Sequence, residues 1–114
     1  MQSIGGDTLR GHLETMILSV LETDAAHGFE VWRRLEEAGC GALTLKEGSL
    51  YPALYRLEKN SFVKAQWESG KSQRRGPRRR IYRLTAKGRR KLKTGRQQWT
   101  QFTSVIGAII GAPS

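Results

Sequence analysis

The side chains able to do covalent or metal chemistry are few and scattered. His12, His27 and Cys40 stand apart from one another, without the close spacing that holds zinc and without a nucleophile, base and orienting acid that could act together. Catalysis is therefore not expected, no metal site is indicated, and no cofactor is implied. His27, beside Gly28 at the start of a helical pattern, suits a local cap better than acid–base work. The groups that do cluster are those that bind anions. Ser49, Tyr51, Pro52, Tyr55, Arg56 and Lys59 fall in one short stretch, and Lys71, Arg74, Arg75, Arg78, Arg79 and Arg80 in a second, which holds no carboxylate. Hydroxyls and ammonium groups donate to phosphate oxygens, and a guanidinium can also read guanine through two parallel hydrogen bonds. Double-stranded DNA is the partner these residues suit.

Charge sharpens that expectation. The 114-residue chain has a formal net charge of +10, and all ten of its acidic residues lie at or before Glu68, whereas 13 of the 20 lysines and arginines fall between Lys71 and Arg96. Such a field draws in a polyanion. A single cysteine rules out an intrachain disulfide and points to a reducing compartment. The chain does not open with a secretory leader, and its longest apolar run, Val105 to Ala112, is far short of a membrane span, so a cytoplasmic, nucleoid-associated protein without a membrane partner is expected.

The elements that must position these residues follow from periodicity. After a cap at Asp7 or Thr8, the residues Leu9, Leu13, Met16, Ile17, Val20 and Leu21 recur at helical spacing. A turn through Gly28 leads to a second helix on Phe29, Val31, Trp32 and Leu35, stopped by Gly39 and Gly41. Leu43 and Leu45 allow only a short strand. A third helix carries the stripe Leu50, Leu54 and Leu57 and starts between Glu47 and Ser49, because an earlier start at the Thr44–Glu47 capping pair buries Pro52 deeper in the helix. Residues 62–67 and 80–84 alternate as two strands around a basic tip, with Trp32 and Trp67 expected to pack between the second helix and this hairpin. Thr85 caps a last helix through Ile110, on which Leu92, Gly95, Trp99, Phe102, Ile106 and Ile109 step by three and four residues, as a seam for a second helix does.

This order is mainly α with a small β-hairpin, the layout of a winged helix-turn-helix plus a C-terminal dimerisation helix. The expected division is 7–85 for the DNA-binding domain and 86–110 for the dimerisation helix, with 1–6 and 111–114 as flexible termini. The third helix would enter the major groove on Ser49, Tyr51, Pro52, Tyr55, Arg56 and Lys59, and the wing would touch flanking backbone. Leu92, Trp99, Phe102, Ile106 and Ile109 would form a homodimer interface. Its two-fold axis would bring Trp99 and Phe102 to the edge of a pocket for a small hydrophobic or aromatic effector, the alternative being an interface closed by the tryptophans themselves.

The sequence also resembles the PadR-type transcriptional regulators, in particular the short subgroup with one C-terminal helix, over roughly residues 9 to 106. The resemblance rests on residues 13–21, on His27-Gly28-Phe29, on the run from Glu47 to Glu58 and on the run from Arg80 to Gly88. It implies a homodimer clasped through the last helix, an operator near a promoter, repression, and release by a small-molecule or stress signal. In some relatives aromatic residues of that helix line a drug-binding pore. Phe29 stands where tyrosine is common in the family.

A general RNA-binding or ribosome-associated protein is the competing reading, since it shares the charge. The leucine-patterned third helix disfavours it, because RNA modules more often show exposed sheet aromatics or a glycine-rich backbone clamp. A lipid-surface helix is disfavoured too, because the last helix carries its bases early and its hydrophobes late.

Overall fold

The computed structural model describes residues 11–43, 45–69 and 76–111. Its elements are α1 (Leu13–Val20), β1 (Ala26–His27), α2 (Gly28–Ala38), α3 (Glu47–Lys59), β2 (Val63–Trp67), β3 (Arg80–Leu84) and α4 (Ala86–Ile110). Among the described residues, four helices pack with a small antiparallel sheet in the order β1-β3-β2. The fold is a winged helix, with β2 and β3 as the wing.

The leucine stripe of α3 organises the core. Leu50, Ala53, Leu54 and Leu57 are fully buried. They join Ile17 and Leu18 from α1, Val31 and Leu35 from α2, Val63, Tyr82 and Leu84 from the sheet, and Leu92 from α4. Each such leucine or valine contributes about 1.5–3 kcal/mol through removal from water. The opposite side of α3 is thereby turned outward.

Several boundaries differ from the sequence pattern. The described part of the first helix begins at Leu13, because Gly11 has φ 91°, a left-handed conformation that interrupts a helix there; the expected cap at Asp7 or Thr8 lies outside the described residues. Ala26 and His27, which read as part of a turn, pair with Tyr82 and Ile81 and add a third strand to the hairpin. Two residues are too few to show alternation. The strand expected at Leu43 and Leu45 reduces to one bridged residue, Leu43. The Leu45 carbonyl instead accepts a 2.9 Å hydrogen bond from the Trp32 indole. α3 begins at Glu47, at the edge of the expected range, and even so Pro52 sits within the helix. The carbonyl that its missing N–H would have met belongs to Gly48, and both residues are exposed, so water can take its place.

α4 is seated on the turn that follows α3. Thr85 accepts a hydrogen bond from the Gly88 amide at 2.9 Å and donates to the Ser61 carbonyl at 2.6 Å, while Lys87 donates to the Asn60 carbonyl at 2.9 Å. The approach is so close that a β-carbon on residue 88 would lie 1.9 Å from the Phe62 carbonyl oxygen. Further along the helix, a β-carbon on residue 95 would lie 2.7 Å from the Thr15 hydroxyl oxygen. Leu92, at 1% exposure, is in the protomer's own core. Leu92 and Gly95 are therefore contacts within one chain, not members of an intermolecular seam as their spacing suggested. At the other end Gly111 has φ 74° and its amide bonds to the Gly107 carbonyl, so it closes the helix rather than beginning a tail; residues 1–6 and 112–114 lie outside the described residues.

Two glycine substitutions should move stability in opposite directions. Gly88→Ala must push α4 off the Phe62 carbonyl and should lower the unfolding free energy by about 1–3 kcal/mol. Gly48→Ala, where an added β-carbon meets nothing within 4 Å, should raise it by up to about 1 kcal/mol. Urea titration followed by circular dichroism reads both.

Candidate nucleic-acid interface

Because α3 buries one stripe, its remaining residues share the outer side. Ser49, Tyr51, Pro52, Tyr55, Arg56 and Lys59 are all exposed there. Helical spacing sets Ser49, Pro52, Arg56 and Lys59 along one flank and Tyr51, Tyr55 and Glu58 along the other. Tyr51 is fixed more firmly than its exposure suggests. A β-carbon on residue 28 would come within 2.5 Å of its ring, so the tyrosine lies across the start of α2 in space that only glycine leaves open. Phe29, Trp32, Leu45, Glu47, Leu50 and Tyr51 line a crevice of about 150 Å³ beside it.

The wing is anchored by its ladder, in which Trp67 is opposite Arg80 and Val63 opposite Leu84, and by a 2.7 Å bond from the Glu68 amide to the Arg79 carbonyl. Lys71, Arg74 and Arg75 lie outside the described residues. Arg78 and Arg79 are exposed, and Arg79 Nη1 lies 2.8 Å from His27 Nε2. Arg80 departs from expectation. Its guanidinium pairs with the Glu58 carboxylate and lies 5.5 Å from the centre of the Trp67 ring, so a carboxylate distant in sequence neutralises it. Trp67 is also placed differently: it is 57% exposed and carries Arg80, rather than packing between α2 and the hairpin. Trp32 is half-buried against the core. Lys64 and Arg83 stand directly across the strands from each other, an arrangement of like charges that repel unless an anion joins them. Neither was singled out from sequence, because only the register brings them together.

On α2, and where α4 meets the end of α1, arginines are matched by carboxylates. On α2, Arg33 binds Glu30 and Glu37 at 2.6 Å each, and Arg34 binds Glu30 at 3.3 Å. These bonds, led by that from Arg33, hold the Glu30 carboxyl at about 2. Arg96 on α4 binds Glu22 at 2.9 Å, and its hydrogen bond holds the Glu22 carboxyl below the usual range. His27 does act as a cap, accepting from the Glu30 amide at 3.2 Å. Among the described residues, no group of histidine, cysteine and carboxylate side chains is arranged to hold a metal, and no helix is long and apolar enough to cross a membrane.

The late part of α4 extends past the core. Trp99 and Phe102 are 51% and 53% exposed, and Val105, Ile106, Ile109 and Ile110 are exposed with them. The Trp99 and Phe102 rings stack at 6.0 Å, with the His12 ring edge-on to Trp99 at 5.3 Å.

A winged helix that presents a hydroxyl- and guanidinium-bearing helix beside a basic hairpin defines a nucleic-acid-binding class of protein. Residues 17–94 match the transcriptional regulator PadR-like family, and the chain belongs to that family. It is similar to a transcriptional regulator from Clostridium thermocellum, with a TM-score of 0.82 and 30% identity over 92% of this chain and 99% of that one. It is also similar to a PadR family transcription regulator from Clostridium difficile, with a TM-score of 0.77 and 31% identity over 89% of this chain and 100% of that one. Transcriptional regulator YqjI of Escherichia coli (strain K12) is 30% identical over 90% of this chain, which spans 46% of that relative. The protein is thus a DNA-binding transcriptional regulator and, as its family is, not an enzyme.

Replacing Arg74, Arg75 and Arg78 together by alanine should weaken binding to any duplex alike. It should also flatten the plot of log K against log salt by about 0.9 for each phosphate no longer neutralised. Arg56→Ala should instead narrow the gap between selected and random DNA, by about 1–3 kcal/mol if the guanidinium reads a base, and by more than Arg90→Ala does. Fluorescence anisotropy at several salt concentrations separates the two behaviours.

Proposed function

We propose that this regulator acts as a homodimeric repressor, inserting α3 of each protomer into successive major grooves of an inverted-repeat operator while the wings hold the flanking backbone. The observation that carries the dimer is the apolar row Trp99, Phe102, Ile106 and Ile109 on the part of α4 that outruns its own core. A helix of 25 residues is about 37 Å long. Its late turns leave Trp99, Phe102, Val105, Ile106, Ile109 and Ile110 exposed together, and a contiguous apolar patch of this kind favours an interaction surface. The three- and four-residue steps suit pairing with the same helix of a second chain. Two-fold pairing would set the recognition helices about 34–36 Å apart, one turn of the duplex. Repression is the family's usual mode of action.

We also infer that repression is relieved by a small hydrophobic or aromatic ligand. Trp99 and Phe102, stacked and half-exposed, would lie near the two-fold axis and offer it a flat apolar wall. Occupancy there would alter the spacing of the two recognition helices.

Phe102→Asp and Ile106→Asp place an unpaired charge in the seam and should give monomers at micromolar concentration that no longer bind the operator tightly. Sedimentation velocity and anisotropy read this. Variants that remain dimeric would move the interface elsewhere on the chain.

A further inference from the structure

Arg80 belongs to the basic wing by sequence, yet its geometry gives it a different task. Glu58 lies on the same flank of α3 as Tyr51 and Tyr55, on a helix turned toward DNA, where an unpaired carboxylate would repel phosphate. It is instead held by Arg80 from β3, and both side chains are partly sheltered, at 30% and 38% exposure. The guanidinium carbon also lies over the ring of Trp67, its cross-strand partner, at 5.5 Å. Ring, guanidinium and carboxylate thus connect both strands of the wing root to the recognition helix just ahead of the Glu68–Arg79 backbone bond that begins the tip. Beneath them Tyr82 is buried in the core. A guanidinium that bonds a carboxylate through one nitrogen while its carbon lies over an indole reaches two partners at once, which a compact ammonium reproduces poorly.

We propose that Arg80, with Glu58 and Trp67, is a positioning residue that fixes the angle between recognition helix and wing, so that base reading by α3 and phosphate binding by the wing occur in one docking pose. Arg80 therefore spends its charge inside the protein. This rests on the reading that α3 and the wing engage DNA.

The sign of the Glu58→Gln effect distinguishes the bracket from a direct contact. Removing a negative charge from the DNA-facing helix would tighten binding to every duplex if charge alone mattered. Under the bracket, Glu58→Gln loses affinity for the selected sequence.

The full-length chain is tested on a duplex that the wild type selects from a random-sequence pool and on a scrambled duplex. Binding is measured across salt concentrations, at a temperature below the melting transition of each variant as read by circular dichroism. The expected result is an about five- to tenfold loss on the selected duplex for Glu58→Gln and for Arg80→Ala, of the size that a coupled pair of side chains carries. Little loss is expected on the scrambled duplex, and the salt slope should match the wild type. Arg80→Lys, which retains the charge, should not restore selective binding. The bracket is overturned if Arg80→Ala weakens both duplexes equally and flattens the salt slope while Arg80→Lys behaves as wild type, since that is the behaviour of a phosphate-binding residue. It is equally overturned if Glu58→Gln tightens both. Arg56→Ala and Arg78→Ala serve as controls for the underlying reading. If neither changes binding to either duplex, the interface itself is misplaced and the bracket falls with it, whatever Glu58→Gln does.

Discussion

The Phe62 carbonyl occupies the space where a side chain on residue 88 would begin, and this close approach joins the three parts of the protein that must act together. The turn it belongs to ends the recognition helix and begins the wing, and the helix that rests on it is α4. Thr85 and Lys87 reinforce the seat by bonding to the Ser61 and Asn60 carbonyls, and Lys87 and Lys91 lie over the Phe62 ring at 4.8 Å each. A side chain at residue 88 would part these surfaces. With glycine there, α4 lies in direct contact with the turn that ends α3.

Electrostatics complete the division of labour. The acidic residues near the outer surface of α2 and at the end of α1 are met by arginines of the same chain. Such exposed pairs add little stability. They do cancel charge, which leaves Arg56, Lys59, the wing and the early turns of α4, with Arg89, Arg90, Lys91 and Lys93, as the positive regions of the chain. The apolar surface follows the same logic: it is closed wherever leucines meet across α3, and open where α4 outruns the core.

Most of the fold was legible from spacing because one periodic stripe, Leu50, Leu54 and Leu57, fixes which way α3 faces, and Thr85 marks the start of α4 without ambiguity. What escaped was short or non-local. β1 is two residues long and pairs with a strand more than fifty positions away, so nothing local marks it. The Glu58–Arg80 pair is separated by 22 positions, and sequence proximity made Arg80 look like one more free wing base. Leu92 and Gly95 followed the same three-and-four rhythm as Trp99 and Phe102, and periodicity cannot say which part of a continuous stripe meets its own domain and which part is left uncovered. Only the place where the core ends divides them.

The direct test of the central claim, that the outer side of α3 and the wing form the DNA-binding surface while late α4 stands apart from it, is a titration of the isotope-labelled protein with a selected duplex, followed through its backbone amides. The expected result is that the largest shifts fall on Ser49, Tyr51, Tyr55, Arg56 and Lys59 and on Arg78 in the wing, with the amides from Trp99 to Ile109 nearly unmoved. Large shifts along Arg33 to Glu37 of α2 with α3 silent would contradict it.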